Sequence, residues 1–496
     1  MTSAMIWILV AVVVYLLGML AIGFKYANNS TSEDFYLGGR KLGPIVTAMS
    51  TEASDMSAYL LMGVPGLAFF CGVAEAGWTA IGLALGTYLN WLIVAKRLRR
   101  YSAGINAITV PDFLARRFRD NTKLIETLGA LTVIIFFVPY TASGFAACGK
   151  LFNSLFGFDY MTAMIISAAV IVIYCATGGF MAASVTSLIQ GIVMTIALVI
   201  VLIFGINTAG GWDAVIANAK EIPGYLDFSA STSILTGTPS SYSPLMIAST
   251  LAWGLGYFGM PHILVRYLSI KSEHEMRKSQ IIGCSWILVI LAMSAVVGVI
   301  GRQFLGEIDN ENLVFVHMVR RLFPAFISGV LLSAILAAAM STADSQLLAS
   351  SSAFASDIYK PVIRKDATDH EMQWAGRIIV ILISVVAYFI AADPNCGGIM
   401  ALVECAWAGF GSAFGPVILL SLYWRRLTYS GAVAGVCVGF AVDALWYAFL
   451  STPTGLYEII PGFLCGLIAA VVVSLCSKAP SKEVTDLFDR AFEPTD

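Results

Sequence analysis

Apolar stretches of about 20 residues with almost no charge recur along the whole chain, and they restrict its fold more than any other feature. As an α-helix, such a stretch is long enough to cross the hydrocarbon of a bilayer. Of the 496 residues, 58% are apolar and 12% are charged. A soluble domain has roughly 45–50% apolar and about 25% charged residues. The sequence therefore predicts an all-α integral membrane protein.

We count thirteen candidate spans and expect each to be one transmembrane helix. The first is too long for the apolar core of a signal peptide and no basic residue precedes it, so we assign it as a span. The thirteen spans cover residues 5–24, 44–70, 74–96, 124–152, 159–177, 184–206, 244–268, 280–303, 325–354, 375–392, 397–423, 431–450 and 456–477.

The basic residues predict the orientation, because loops rich in Lys and Arg stay in the cytoplasm. Seven of them lie between Lys96 and Arg119, in one loop. With an outside N-terminus and a cytoplasmic C-terminus, all but five of the 29 basic residues fall on or near the cytoplasmic side. We therefore expect a multi-pass protein of the plasma membrane, which in a bacterium is the inner membrane.

The regions between the spans leave little room for a second activity. The largest outside loop is about 207–243, and the tail after Ser477 is short. Nine cysteines show no paired metal spacing, and the net charge of −2 does not indicate a nucleic-acid partner. We expect one transmembrane domain surrounded by lipid, without enzymatic activity, a nucleic-acid partner or an obligate protein partner.

Two spans carry interruptions in corresponding places. Span 2 contains the polar run STEASDMS at 50–57, followed by Gly63 and Pro65, and span 7 contains three glycines and Pro261. Broken helices that meet near the midplane are typical of transporters built from two inverted repeats. We expect an extra helix (5–24), a first repeat (44–206), an inverted second repeat (244–423), two C-terminal helices (431–477) and a cytoplasmic tail (478–496).

Acidic residues at membrane depth cost at least about 2.5 kcal/mol each, so each is a candidate functional residue. They are Glu52, Asp55, Asp344, Glu404 and Asp443. For Glu404 and Asp443, a hydrogen bond between helices is an equally good explanation. Asp55 lies in the polar interruption of span 2, which favours a role in transport.

Two further patterns carry candidate chemistry. Ser341, Asp344 and Ser345 lie on one face of span 9 and offer oxygen atoms to a cation, although such hydroxyls also bond back to the preceding turn. Trp253 and Tyr257 are i, i+4 neighbours on span 7, so we expect both rings to project to one side of the helix, where they either form a pocket or only pack.

Taken together, these segments resemble the solute:sodium symporter family over nearly the whole chain. The most specific segments are FYLGGR at 35–40, STEASDMS at 50–57, LLMGVPG at 60–66, FFVPYTASG at 136–144, GGF at 178–180, WGLGYFGMPHI at 253–263 and AILAAAMST at 334–342. The resemblance implies an inverted-repeat (LeuT-like) fold of thirteen spans and the symport of a small solute with sodium.

The resemblance also implies which residues bind. Sodium is expected at the carbonyls of Ala53, Met56 and Ala338 and at the hydroxyls of Ser341 and Thr342, with Asp55 beside it. The substrate pocket is expected to be formed by Ser57, Tyr140, Trp253, Tyr257 and Pro261.

The chain departs in three places from the family members that it resembles most. One is Ala58-Tyr59, where those members usually have Gly-Trp, and the other two are on spans 6 and 9. Span 6 has Ser187 where many members place an aspartate, and span 9 has Asp344 where a hydroxyl residue is usual. If the two helices are adjacent, Asp344, Ser345 and Ser187 could form a second site for a cation or a proton. A neutral aspartate that only joins helices is the alternative.

An amino acid such as L-proline is the substrate that these segments favour. Its small apolar ring suits aromatic faces, which also attract its ammonium by about 0.5–2 kcal/mol per contact. A sugar or sialic acid would require more Asn, Gln or Arg in the pocket. Pantothenate or a short monocarboxylate remains an alternative solute, and a proline sensor without net transport remains an alternative function that the short tail disfavours.

Overall fold

The computed structural model describes residues 2–26, 31–232, 238–306, 308, 310–393 and 398–491, apart from the side chains at 174, 176 and 177. The helices are α1 (Ser3–Lys25), α2 (Ser32–Leu37), α3 (Pro44–Met56), α4 (Val64–Cys71), α5 (Val73–Leu89), α6 (Lys96–Gly104), α7 (Val110–Phe118), α8 (Leu124–Phe156), α9 (Tyr160–Thr208), α10 (Trp212–Glu221), α11 (Pro244–Leu251), α12 (Pro261–Ser269), α13 (Met276–Phe304), α14 (Val314–Leu322), α15 (Ala325–Phe354), α16 (Asp369–Ala392), α17 (Gly398–Tyr423), α18 (Tyr429–Phe449), α19 (Ser451–Thr454), α20 (Ile459–Cys476) and α21 (Lys482–Arg490).

Shorter elements connect these helices. Strands β1 (Ala230–Thr232) and β2 (Pro239–Ser241) pair antiparallel. Single 3₁₀ turns or short 3₁₀ helices cover Gly38–Arg40, Ala252–Phe258, Glu273–Glu275 and Glu311–Leu313, and π-helical segments cover Tyr59–Gly63, Asn90–Ala95 and Ala355–Ile363. Residue 397, where the eleventh predicted span begins, and residues 492–496 of the predicted tail lie outside the described residues.

Within the described ranges, ten helices are long and apolar enough to cross a membrane, and the number is eleven if the bent pair Pro44–Met56 and Tyr59–Cys71 counts as one span. Spans 5 and 7 of the sequence prediction coincide with the shorter apolar helices Tyr160–Ile173 and Pro244–Phe258. The prediction of an all-α, multi-pass membrane protein is confirmed. The count of thirteen, the orientation of the termini and the boundaries of the repeats stay predictions.

Spans 5 and 6 are joined within α9 by a sharp turn at Gly179. This glycine has φ +65° and ψ −172°, which is not helical and which residues with a side chain rarely adopt. The GGF sequence thus separates the two predicted spans without a loop between them.

The long helices α15 and α17 lie at the centre of the bundle and are mostly buried. Helix α15 packs against α8, α9 and α3, whereas α1 lies against α9 and α15 and leaves most of its surface exposed. Helices α18 and α20 pack on each other and on α17. The polar residues of α15 are therefore held inside protein, where lipid does not reach them.

The predicted interruption of span 2 is a bend of 57° between α3 and the segment Tyr59–Cys71. Helix α3 ends at Met56, and Ser57 follows with φ +47° and ψ −173°. A positive φ is uncommon for serine and marks a strained position. Because the last four carbonyl groups of a helix lack partners within it, the break presents backbone oxygens inside the bundle.

The predicted interruption of span 7 is a 3₁₀ helix, Ala252–Phe258, between α11 and α12. Its glycines allow close helix contacts: a Cβ atom added at Gly254 would lie 2.6 Å from the Gly82 carbonyl oxygen, and one added at Gly259 would lie 2.1 Å from the Phe410 carbonyl oxygen. Helix α12 then begins at Pro261, where a missing amide hydrogen costs nothing.

Candidate functional site

A cluster of oxygen atoms forms where the end of α3 meets the middle of α15. The hydroxyl of Ser341 lies 2.8 Å from the Ala53 carbonyl oxygen and 3.0 Å from the Ala338 carbonyl oxygen. All three residues are fully buried. Carbonyl and hydroxyl oxygens are the ligands that transporters use for sodium at a broken helix. We call Ala53, Ala338 and Ser341 the oxygen cluster.

The other two predicted sodium ligands border this cluster in the chain. Met56 is the last residue of α3, so its carbonyl belongs to the unpaired final turn. The Thr342 hydroxyl is buried and makes no hydrogen bond within the described part of the chain. A buried hydroxyl without a partner is costly, and a bound ion would satisfy it.

Asp55 joins the broken helix to the predicted substrate pocket. Its Oδ2 accepts a hydrogen bond from the Tyr257 hydroxyl at 2.5 Å, and its backbone carbonyl accepts one from the Tyr140 hydroxyl at 3.3 Å. The carboxylate is buried, with 4% of the residue exposed. Three spans that the sequence separates widely are thereby connected two residues away from Ala53.

An aromatic group surrounds Trp253. The Tyr59 ring stacks on it at 5.9 Å with an interplanar angle of 8°, and the Trp407 and Tyr457 rings lie at 6.1 and 5.6 Å. The Trp407 indole nitrogen donates to the Trp253 carbonyl at 2.6 Å. Tyr257 also contacts Trp407, with centroids 5.1 Å apart. The sequence prediction named Tyr59 as a departure from the family pattern, and it missed Trp407 and Tyr457.

The predicted relation between Trp253 and Tyr257 needs a correction. It assumed an α-helix, in which residues i and i+4 share a face. Because the segment is a 3₁₀ helix with three residues per turn, these positions point in different directions. Both rings contact Trp407 nonetheless, with ring centroids 6.1 Å from it for Trp253 and 5.1 Å for Tyr257.

Ser57 and Pro261 occupy different surroundings. The Ser57 hydroxyl accepts the Tyr59 amide hydrogen at 3.2 Å and so stabilises the break after α3. Pro261 starts α12 and lines a small cavity with Phe180, Arg266 and Ser345, none of which belongs to the aromatic group around Trp253. Their contacts with substrate stay predictions.

The predicted second site is partly assembled. The Ser345 hydroxyl lies 3.1 Å from Asp344 Oδ1 and 2.8 Å from the Ser341 carbonyl oxygen. Helices α9 and α15 are adjacent, as the hypothesis requires. The Ser187 hydroxyl is buried and makes no hydrogen bond to any described residue. The structure therefore brings Asp344 and Ser345 into contact but shows no bond from Ser187 to either.

Arg266 is a buried residue of this region that the sequence prediction missed. It lies on α12 and is 1% exposed. Its guanidinium donates to Ser50 Oγ at 3.1 Å, to the His262 carbonyl at 2.7 Å and to Ser345 Oγ at 2.7 Å. The available signal was a basic residue inside an apolar span, but its position near the span's end made it look like part of a cytoplasmic loop.

The other buried acids have neighbours of their own. Glu52 accepts a hydrogen bond from the Trp91 indole at 2.8 Å, and Asp443 accepts one from Ser412 at 3.0 Å. For Asp443, this bond joins α17 to α18, which is the hydrogen bond between helices that the sequence analysis gave as one of two explanations. Glu404 lies on α17, where its backbone carbonyl accepts a hydrogen bond from Tyr457.

The predicted cytoplasmic ends of the two broken spans are tied together. The Leu42 amide donates to the Ser269 carbonyl at 3.2 Å, and the Lys271 amide donates to the Leu42 carbonyl at 2.9 Å. Arg40 donates to the carbonyls of Leu268 and Ala107 at 2.7 and 2.6 Å. Burial lowers the pKa of Arg40 to about 10, so this arginine remains charged at neutral pH. Spans 2 and 7 are thus held to each other beyond the site.

A helical bundle with two interrupted spans, one of which meets a continuous helix at a cluster of backbone carbonyls and a hydroxyl, is typical of secondary transporters. A profile of the sodium:solute symporter family matches residues 35–439, and the chain belongs to this family.

Curated relatives align with this chain over nearly its whole length. The osmoregulated proline transporter OpuE of Bacillus subtilis is 42% identical, with 97% of each chain covered. The high-affinity proline transporter PutP of the same organism is 43% identical over 95% of this chain and 98% of its own. The sodium/proline symporter of Escherichia coli is 41% identical over 97% of this chain and 96% of its own.

Solved structures share the fold. A Na⁺-coupled sialic acid symporter in a substrate-bound, outward-open state aligns with a TM-score of 0.78 at 18% identity, covering 96% of this chain and 99% of that one. Mhp1, a nucleobase-cation-symport-1 family transporter in a closed conformation, aligns with a TM-score of 0.57 at 16% identity, covering 94% and 100%. The predicted transporter fold is confirmed by these alignments.

Proposed function

We propose that this protein is a symporter that carries L-proline into the cell together with sodium, in the inner membrane of a bacterium. Support for the substrate comes from relatives named as proline transporters that are 41–43% identical over almost the full length. Support for sodium comes from the oxygen cluster of Ala53, Ala338 and Ser341, which is the single observation that carries the proposal.

Sodium would bind by replacing hydrogen bonds that the protein makes with itself. Without an ion, the Ser341 hydroxyl donates its proton toward the Ala53 or Ala338 carbonyl oxygen. When sodium binds, the hydroxyl turns its lone pair to the ion, and both carbonyls do the same. The carbonyl of Met56 and the hydroxyl of Thr342 complete a shell of five oxygens in this proposal. The ion thereby ties α3 to α15.

Proline would bind beside the ion, where Asp55 links the two sites. The carboxylate of Asp55 holds Tyr257, and its backbone holds Tyr140, so ordering α3 around sodium also orders both tyrosines. The Trp253 ring offers an apolar face to the pyrrolidine and attracts its ammonium. Because coupling between two ligands is reciprocal, proline should tighten sodium binding by the same factor.

The energetics of one sodium ion are sufficient for accumulation. One charge moving through about 150 mV contributes roughly 3.5 kcal/mol. A tenfold sodium gradient adds about 1.4 kcal/mol. Together they support a proline gradient of roughly a few thousandfold.

Uptake of labelled proline into proteoliposomes tests the proposal, with sodium, proton and voltage gradients imposed separately. We expect accumulation with an inward sodium gradient, a further increase with a negative interior, and none with a proton gradient alone. An excess of unlabelled pantothenate or a short monocarboxylate should leave uptake unchanged. Strong competition by either solute would assign the pocket to it instead.

A further inference from the structure

The buried ionisable residues next to the oxygen cluster include an arginine as well as acids. Arg266 and Asp344 both lie in the interior, with 1% of each residue exposed. The Ser345 hydroxyl stands between them: it accepts from the Arg266 guanidinium at 2.7 Å and lies 3.1 Å from Asp344 Oδ1. The Ser345 hydroxyl thus bridges the guanidinium and the carboxyl group by its two contacts.

Arg266 is held firmly in this place. Its three hydrogen bonds reach α3 through Ser50, its own helix through His262 and α15 through Ser345. The Phe180 ring lies 5.7 Å from its Cζ atom, so the cation also has an aromatic neighbour. A planar guanidinium with several fixed donors is well suited to such a bridge.

The position of Arg266 relates it directly to the oxygen cluster. Ser50 precedes Ala53 by three residues on α3, and Ser345 follows Ser341 by four residues on α15. Arg266 therefore contacts the same two helices as the cluster, about one helical turn, or roughly 5.4 Å, farther along each. The same pair of helices holds the oxygen cluster at one level and the guanidinium of Arg266 at the next.

We propose that Arg266 acts as an internal cation for Asp344 and occupies the role that a second sodium ion would otherwise fill. A buried carboxylate needs a compensating charge, and a guanidinium already hydrogen-bonded to its neighbour Ser345 supplies it. A sodium ion added at Asp344 would meet this fixed positive charge. The chain therefore couples one sodium ion to each proline, and Arg266 is a positioning residue that sets this ratio.

The inference rests on the proposed sodium/proline symport, and the ratio of the two fluxes tests it. Purified protein in proteoliposomes is given ²²Na⁺ and labelled proline, and both uptakes are measured over the same initial period. We expect a ratio of about one for the wild type and for Arg266→Lys, which keeps the charge, and a rise toward about two for Arg266→Gln, in which sodium compensates Asp344. Arg302→Gln, which removes a half-buried arginine that packs on Phe69, should leave the ratio at its wild-type value.

Two results would overturn the inference: a wild-type ratio of about two, or an unchanged ratio in a folded, active Arg266→Gln protein. Absence of any sodium-dependent proline uptake by the wild type would instead refute the proposed function, and the inference with it. The two failures are therefore distinguishable in one set of vesicles.

A second pair of variants applies if Arg266→Gln does not fold. Asp344→Asn leaves the arginine uncompensated beside the oxygen cluster, so the sodium concentration for half-maximal uptake should rise about tenfold or more. Removing both charges, as Asp344→Asn with Arg266→Gln, should return it to within about threefold of the wild type. A double variant that needs as much sodium as Asp344→Asn alone would show that Asp344 binds sodium directly and would refute the internal cation.

Discussion

The hydroxyl of Ser341 on α15 lies 2.8 Å from the carbonyl oxygen of Ala53, in the last turn of α3. This bond joins a broken helix to a continuous one in a fully buried place. The hydroxyl donates its hydrogen to the carbonyl here, whereas both oxygens would have to turn lone pairs toward a sodium ion bound between them, so the bond is a contact that sodium would rearrange. The relation between these two residues leads to the first prediction.

Ser341→Ala should raise the sodium concentration for half-maximal proline uptake by about tenfold, which corresponds to about 1.4 kcal/mol. The variant removes one ligand and leaves the ion with fewer oxygens. The maximal rate at saturating sodium should change less. Initial rates of uptake at graded sodium concentrations provide the measurement.

Ser333→Ala is the matched control, because Ser333 lies two turns earlier on α15 and its hydroxyl, among the residues that the structure describes, bonds only to the preceding Gly329 carbonyl, at 2.8 Å. Its sodium dependence should equal that of the wild type. Equal effects of the two substitutions would mean that Ser341 only stabilises the helix.

Thr342→Ala distinguishes a ligand from a packing residue by the sign of its effect. The Thr342 hydroxyl is buried without a hydrogen-bond partner among the described residues, so its removal alone should leave stability unchanged or raise it. If the hydroxyl binds sodium, the same change should raise the sodium requirement about tenfold. Thr342→Ser, which keeps the hydroxyl, should stay near the wild type. Thermal unfolding and sodium-dependent uptake measure the two properties, and a more stable variant with unchanged sodium dependence would exclude Thr342 from the site.

Tyr257→Phe should weaken both ligands, because the Tyr257 hydroxyl donates to Asp55 at 2.5 Å. Losing a hydrogen bond to a charged group costs about 1.5–3 kcal/mol, so we expect a tenfold or greater rise in the sodium requirement. Asp55→Asn should act in the same direction and more strongly. In the double variant the effects should not add, since both changes remove one contact. Fully additive effects would separate Tyr257 from Asp55 in function.

Trp253→Ala should weaken proline binding at saturating sodium, because the ring is the centre of the aromatic group with Tyr59, Trp407 and Tyr457. We expect a loss of about tenfold or more, since an aromatic face offers both apolar contact and attraction for the ammonium. Trp374→Ala, at an exposed tryptophan, serves as the control. Isothermal titration with proline measures both, and normal affinity in Trp253→Ala would limit Trp253 to packing.

The helical interruptions could be predicted from sequence because local residues cause them. The polar run before Ser57 and the glycines before Pro261 break their helices wherever those helices lie. The double glycine at Gly179 likewise separates two spans by its own backbone geometry. The candidate sodium ligands followed from resemblance, and their contact across α3 and α15 is visible only in the structure.

The surroundings of the site could not be predicted, because they depend on contacts between distant helices. Trp407 lies 154 residues from Trp253, whose carbonyl it binds, and nothing in either segment indicates the other. Arg266 looked like the basic flank of a span, whereas its three hydrogen bonds hold it inside the bundle. A pattern of residue types shows which groups are polar but does not show which polar groups neutralise one another.

The most direct test of the central claim is initial uptake of labelled proline by proteoliposomes of purified wild-type protein and Ser341→Ala, each assayed over a range of external sodium, with choline replacing sodium. The account predicts sodium-dependent accumulation by the wild type, no accumulation in choline, and a sodium requirement about tenfold higher in Ser341→Ala that is overcome at saturating sodium. Proline accumulation in choline, or identical sodium dependence in both proteins, would contradict the assignment of sodium to the contact between Ala53 and Ser341.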